Sequence, residues 1–395
     1  MSITFPKGFL ANGIHCGVKK EGLDLGLLVS VCVAKASGMF TTNQVKSPSV
    51  VITAERLKSG MLRGIIANSG CANACTGEQG FLDAESILNR LGIILKEEPK
   101  LLGIASTGVI GKRLPVDKIL ESLPLLVDGL SKESGILFER AIMTTDRVVK
   151  EVQTSFFYNG TTIRIGACAK GSGMIHPNLA TLLSFITTDI EIDKTLLKIA
   201  LKSVVDVSLN AITIDKDMST NDSVIIMANG KAGNVEIKNV SEKGFILFRD
   251  NLKEIMIELA RKIAKDGEGA EKLIEVEVIG TETEEQAIRM ARAVVGSNLF
   301  KSAIWGKEIN WGRIMSALGA NSDPFDPQRV SIFFGDVKLV ENGIEIDFDT
   351  SRVSKILEGK EVPIKIIVGE GKARGKAWGC DLTPDYVFIN GSYLS

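Results

Sequence analysis

Apolar positions recur along this chain with two periods. At Ile274, Val276 and Val278 they alternate with Glu275 and Glu277, the pattern of a strand with one wet face. Further upstream, Phe248, Leu252, Ile255, Met256, Leu259 and Ile263 fall on one side of a helix. The same reading predicts strands over 28–33, 64–67, 162–167, 224–228, 273–279, 330–334, 344–348 and 362–368. It predicts helices over 82–91, 194–207, 248–265 and 284–295, the last opening with Thr283 and Gln286 at capping-box spacing. One-sided helices interleaved with strands need a sheet to pack against, which predicts a layered α/β architecture. No low-complexity linker, repeat or heptad run divides the chain.

Composition narrows the classes of function. The chain has 395 residues, 45% of them hydrophobic and 24% charged, which suits a soluble globular enzyme. A formal net charge of −1 with no basic stripe gives no footprint for nucleic acid. No run reaches the ~20 apolar residues of a membrane helix. The opening MSITFPKGFLANG lacks a charged region followed by an apolar one, so no secretory signal is expected and the protein is expected in the cytoplasm. Of six cysteines only Cys71 and Cys75 are close, and three residues separate them, which supports a metal or redox pair weakly. Scattered cysteines in such a chain are expected to stay reduced. The two histidines, His15 and His176, are too few for a His-rich metal site, and His176 reads as a loop or packing residue.

The chemistry concentrates between Lys170 and Asp189, KGSGMIHPNLATLLSFITTD. Gly171, Gly173 and Pro177 oppose regular structure just ahead of Ala180-Thr181. A kinked backbone there can bring the Thr181 hydroxyl onto the Ala180 carbonyl carbon, and water can open the resulting ester. The product is a chain beginning at Thr181, with a free amine beside its own hydroxyl. An N-terminal amine is an activator of a threonine nucleophile, and its pKa of about 7.7–8.0 suits a general base. On local pattern alone the segment also reads as a helix start after a proline-containing loop, capped by Thr181.

Further blocks accompany it: ANSGCANACTG from Ala67, ASTGVIG from Ala105, MTTD from Met143, TIDKDMSTND from Thr213, DGEGA from Asp266, NWGRI from Asn310, DTSR from Asp349, then AWGCDLT and YVFING. With these blocks the chain resembles the ornithine acetyltransferase family, whose KGxGMIxPxMATML signature is cut between its Ala and Thr. Leu179 and Leu183 replace two of the signature's methionines. The resemblance covers essentially the whole chain. It implies a layered α/β sandwich of the N-terminal-nucleophile type, not a Rossmann fold. It implies a self-cleaving enzyme of arginine biosynthesis that moves acetyl from N2-acetyl-L-ornithine to L-glutamate by a ping-pong route. Residues 1–180 and 181–395 would be the two severed chains, held together as one catalytic unit, with two such units forming a heterotetramer. No metal or redox cofactor is implied. Whether acetyl-CoA also serves as donor is left open, because the family contains enzymes of both kinds.

Carried over block by block, the resemblance makes Thr181 the nucleophile, Ala180 and Thr181 the cleavage pair, and Thr107 with Gly108 the oxyanion donors. It makes Thr144, Lys170, Thr181, Glu268, Asn390 and Ser395 the substrate contacts. Lys170 suits a carboxylate and Glu268 an ammonium, while Thr144, Asn390 and Ser395 offer neutral hydrogen bonds. Taken singly, Lys170 and Glu268 read as solvated surface charges, and the stretch 106–108 as a tight turn. The chain departs from the family at its end, where Leu394-Ser395 replaces a threonine pair, at Glu308-Ile309 before NWGR, and at Cys71, read as a small apolar substitute. Gly369, Gly371 and Gly375 do not complete a GxGxxG dinucleotide motif. Two other readings remain: an amidase or aminopeptidase using the same nucleophile with water as acceptor, and a non-catalytic amino-acid-binding protein.

Overall fold

The structure, a computed structural model, describes residues 2–176, 182–320 and 323–392. The chain opens with β1 (Phe9–Ile14), β2 (Leu25–Phe40), α1 (Pro48–Arg56), β3 (Met61–Cys71), α2 (Gly77–Leu95) and β4 (Leu102–Val109). Then come α3 (Val116–Asp128), α4 (Gly135–Ala141), β5 (Lys150–Tyr158), β6 (Thr161–Lys170), β7 (Leu183–Thr188), α5 (Lys194–Asp206), β8 (Ser223–Ala228) and α6 (Lys243–Lys265). The remainder is β9 (Leu273–Thr281), α7 (Glu284–Val295), α8 (Asn298–Trp305), α9 (Trp311–Gly319), β10 (Ser331–Phe334), β11 (Val337–Glu341), β12 (Ile344–Glu345), α10 (Thr350–Glu358), β13 (Glu361–Ile367), β14 (Ala373–Cys380) and α11 (Pro384–Ser392).

The strands form two mixed sheets. The first runs β4-β3-β2-β8-β7-β6-β5, with β1 also paired to β2. The second runs β12-β11-β10-β13-β9-β14. Three pairs are parallel, β3 with β4, β7 with β8, and β9 with β13, and the other ladders are antiparallel. This is a layered α/β fold and not a Rossmann sheet, which is mostly parallel and doubly wound. Strands from both sides of residue 180 share the first sheet: β7 pairs with β6 on one edge and β8 on the other.

Helix α6 shows why the layers hold. Its predicted stripe, Phe248, Leu252, Ile255, Met256, Leu259 and Ile263, is buried in one core with Ile163, Ile165 and Ile186 from the first sheet and Leu273 and Trp378 from the second. The alternation in β9 is also as predicted: Ile274, Val276 and Val278 enter the second sheet's core. Glu275 faces the other way, onto Arg261 and the Trp378 indole. Thr283 caps α7 by accepting the Gln286 N–H at 3.1 Å. The Gln286 side chain returns to Glu282 rather than to the cap residue itself.

One alternative reading and one predicted strand need correction. The stretch after Thr181 is not a helix. It is strand β7, fully buried from Leu183 to Thr188 as a run with no polar face for water. The strand expected over 344–348 shrinks to Ile344–Glu345, because Asp349 caps α10 through the Arg352 N–H and ends the extended run. The glycines at 369 and 371 lie in the turn between β13 and β14, where the Gly371 N–H reaches the Gly280 carbonyl. A strand, not a helix, follows them, so no phosphate cradle exists there.

Candidate active site

Where β4, β6 and β8 meet the loops after α4 and α6, a cleft of about 110 Å³ opens. Thr107, Gly108, Thr144, Lys170, Glu268 and Asn390 all line it, beside Thr145, Gly173, Met174 and Ser219–Asn221. All the sequence-predicted site residues that the structure describes therefore face one space. Ala180, Thr181 and Ser395 lie outside the described residues. Leu182, next to Thr181, is described: its carbonyl accepts the Ser223 N–H at 3.0 Å. The following residue, Leu183, pairs with Lys170 on one side and Ser223 on the other.

Thr107 and Gly108 lie just before the end of β4, beside a bulge where Gly70 and Cys71 oppose them. Gly108 has φ +128°, and an added Cβ would lie 2.4 Å from the Gly70 carbonyl carbon. Only glycine fits there, on conformation and on space together. Behind this edge, buried Asn221 donates to the Ala72 and Ser106 carbonyls at 2.6 and 2.8 Å. It ties the segment leading into β8 to the end of β4, behind Thr107 and Gly108.

Lys170 is 9% exposed, and its ammonium makes no ion pair or hydrogen bond among the described residues. Burial pulls its pKa below the ordinary lysine value, and Asp146, Asp222 and Glu268 restore only part of the loss. A buried cation without a direct partner is costly, and a carboxylate ligand would relieve that cost. Glu268 is held in the opposite manner. Its Oε1 accepts from Thr145 at 2.7 Å, its Oε2 from Asn390 at 2.8 Å, and its backbone N–H reaches Ser172 at 2.8 Å. Gly173 packs directly on it, since a Cβ there would lie 2.3 Å from the carboxylate. The surface-charge readings of Lys170 and Glu268 are excluded by these contacts.

Several organising residues were not singled out from the sequence. Lys150, with a fully buried side chain, bridges Asp146 and Asp266 at 2.6 Å each. Asp146 also accepts the Gly171 N–H at 2.7 Å and the Thr144 N–H at 3.0 Å, which joins the two flanks of Lys170. Burial alone would raise the Asp146 pKa, but the Lys150 and Lys170 ammoniums hold it below the usual carboxylate range. Asp146, Asp215 and Asp266 sit inside the MTTD, TIDKDMSTND and DGEGA blocks, so the signal was present without a role attached.

The approach to the 177–181 segment is also built. Met174 has φ +55°, a left-handed conformation that costs a non-glycine residue roughly 1–2 kcal/mol. His176 leans on Thr213, with Nδ1 3.1 Å from its hydroxyl. Burial, with Arg292 and Lys216 nearby, drops the His176 pKa to about 4, so the ring is neutral at pH 7. Burial pushes the Cys71 thiol up from its ordinary value, which fits a packed group rather than a thiolate nucleophile.

A fixed carboxylate and a buried cation thus face one small cleft at a strand edge of a layered α/β fold, charges of the kind that complement a small zwitterionic ligand. The chain belongs to the ArgJ family, whose sequence profile matches residues 10–395. It is 46% identical over 394 residues to the arginine biosynthesis bifunctional protein ArgJ of Symbiobacterium thermophilum, covering 99% of this chain and 98% of that one. The Bacillus subtilis protein of the same name is 42% identical over 396 residues, with 99% and 96% covered. A crystal structure of the Bacillus halodurans ArgJ protein superposes with a TM-score of 0.52 at 40% identity, covering 54% of this chain and 100% of that chain. The family agrees with the one the sequence blocks indicate, and the chain is an enzyme of arginine biosynthesis.

Proposed function

We propose that the chain is a self-cleaving glutamate N-acetyltransferase. The Thr181 hydroxyl adds to the Ala180 carbonyl carbon, and the amide nitrogen takes its proton as the C–N bond breaks. Water then opens the ester, leaving the Ala180 carboxylate and a Thr181 that carries both hydroxyl and amine. In turnover this amine takes the hydroxyl proton as Oγ attacks the acetyl carbon of N2-acetyl-L-ornithine. The proton passes to the departing ornithine nitrogen, and acetyl stays on Thr181. The α-amine of glutamate attacks that ester, and N-acetyl-L-glutamate leaves with Thr181 restored. The same hydroxyl is open to acylation by acetyl-CoA, with the thiol as leaving group. No metal or redox group enters the scheme.

Each described residue has a part. The Thr107 hydroxyl and the Gly108 N–H receive the developing oxyanion in both half-reactions. Lys170 holds the α-carboxylate common to both substrates, and Glu268 meets the ornithine ammonium. Thr144 and Asn390 complete the cleft, with Ser395 from the tail. The observation that carries this reading is the convergence on one cleft beside Leu182 of a buried cation with no partner among the described residues, a fixed carboxylate and a glycine-only position near a strand end.

Residues 1–180 and 181–395 remain one unit after severance, because β7 and β8 lie within a sheet built from both pieces. Two severed units associate as a heterotetramer working in the cytoplasm. The test is ornithine release from N-acetylornithine with and without glutamate. Sustained release should require glutamate. Equal release in its absence would make the enzyme a hydrolase.

A further inference from the structure

Asp215 lies on the loop between α5 and β8, outside the set of residues that line the cleft. Its Oδ2 accepts the Met174 N–H at 2.6 Å and its Oδ1 the Ile175 N–H at 2.8 Å. Both N–H groups turn onto this one carboxylate where the backbone leaves regular geometry, Met174 having φ +55°. The Ile175 carbonyl is gripped as well, by the Ile214 N–H at 2.8 Å and the Thr213 hydroxyl at 3.2 Å. The gripping loop is itself anchored, since the Thr213 N–H reaches the Trp378 carbonyl in β14 and the Lys301 ammonium holds the Ile214 carbonyl. Met174 and Ile175, just ahead of the 177–181 segment, are thus clamped through this loop to the second sheet.

We infer that Asp215 is a positioning residue for self-cleavage: by taking the Met174 and Ile175 N–H groups it fixes the backbone leading into the Ala180–Thr181 bond. The inference rests on the cleavage proposed above. The attacking oxygen must be held close to the carbonyl carbon, and a displacement of about 1 Å at such a step costs about 100-fold. Asparagine keeps the size of Asp215, but its amide oxygen serves one N–H while its NH2 opposes the other. Met174 is then free to return to an ordinary conformation. Tyr386 also donates to Asp215 Oδ2, at 3.3 Å, a longer bond to the oxygen that takes the Met174 N–H at 2.6 Å.

The experiment follows severance of freshly made full-length chain by intact mass, with thermal unfolding of the uncleaved material to verify folding. Asp215→Asn should sever at least about 100-fold more slowly than wild type while unfolding cooperatively. Asp215→Glu, which keeps two acceptor oxygens, should sever faster than Asp215→Asn. Tyr386→Phe should sever within about twofold of wild type. Thr213→Val, which removes the hydroxyl on the Ile175 carbonyl, is the second variant should Asp215→Asn not fold, and should slow severance at least about tenfold. A folded Asp215→Asn, or in its place Thr213→Val, that severs at the wild-type rate overturns this inference alone. A wild-type chain that stays whole with full turnover overturns the cleavage reading and this inference together.

Discussion

Replacing Gly108 with alanine probes the proposed oxyanion edge at its least forgiving point. The new Cβ would sit 2.4 Å from the Gly70 carbonyl carbon, 2.6 Å from the Cys71 nitrogen and 2.7 Å from the Gly70 Cα. Carbon atoms in contact prefer about 3.5–4.0 Å, so the overlap is about 1 Å. Every clashing atom is backbone, and no side chain can rotate away. Either β4 retreats from β3 or residue 108 abandons its φ of +128°, and both moves swing its N–H. Losing one preorganised donor costs about 2.7–4 kcal/mol, or about 10²–10³ in kcat. Gly111 is the matched control, because it has φ +83° and no atom within 4 Å of an added Cβ. Gly111→Ala should lose stability on the order of 1 kcal/mol and keep its turnover. The assay is steady-state ornithine release with both substrates, expressed per severed chain counted by intact mass. A Gly108→Ala enzyme with kcat within about threefold of Gly111→Ala would refute the donor role.

Two other outcomes are expected. Lys170→Met removes the buried ammonium proposed to bind the shared α-carboxylate. Truncating one partner of a buried charge pair costs about 2–5 kcal/mol, so KM for both substrates should rise at least about 30-fold. An unchanged KM for glutamate would remove Lys170 from recognition. Glu139 concerns stability instead. Burial, then the neighbouring Glu151, raises its pKa from 4.5 to about 8. The native state keeps a proton that the unfolded chain has lost, so this group's contribution to stability falls as pH rises from about 4.5 to about 8. Glu139→Gln is neutral throughout and should show a shallower fall of unfolding midpoint over that window. Parallel midpoint curves would contradict the assignment.

How far the sequence carried is seen best in particular elements. Helix α6 and strand β9 were legible because their apolar positions follow one period over many residues. Strand β7 was not, because a strand buried on both faces shows a continuous apolar run, which periodicity cannot separate from a helix. Most of α8–α10 was missed for a related reason. These are short helices whose start signals, the caps at Ser297, Asn310 and Asp349, lie in stretches read as family blocks or left unassigned. At the site, the resemblance brought together residues far apart in sequence, such as Thr107 and Asn390, that no local pattern links. It did not supply the network behind them. Lys150 acts on the Asp266 carboxylate 116 positions away, and Asn221 on the Ala72 and Ser106 carbonyls 149 and 115 positions away, and such partners cannot be read from spacing. Asp215 reaches Met174 in the same manner, across a gap in sequence that the fold alone closes.

The central claim is that Thr181 becomes both a chain terminus and an acetyl carrier. Intact-mass measurement of purified protein, before and after incubation with N-acetylornithine alone, tests it most directly. The account predicts two polypeptides, 1–180 and 181–395, with one acetyl group gained on the second and removed again by glutamate. In Thr181→Ala it predicts a single uncut chain that gains no acetyl. Full turnover by an unbroken wild-type chain, or acetyl trapped on any residue other than Thr181, would contradict it.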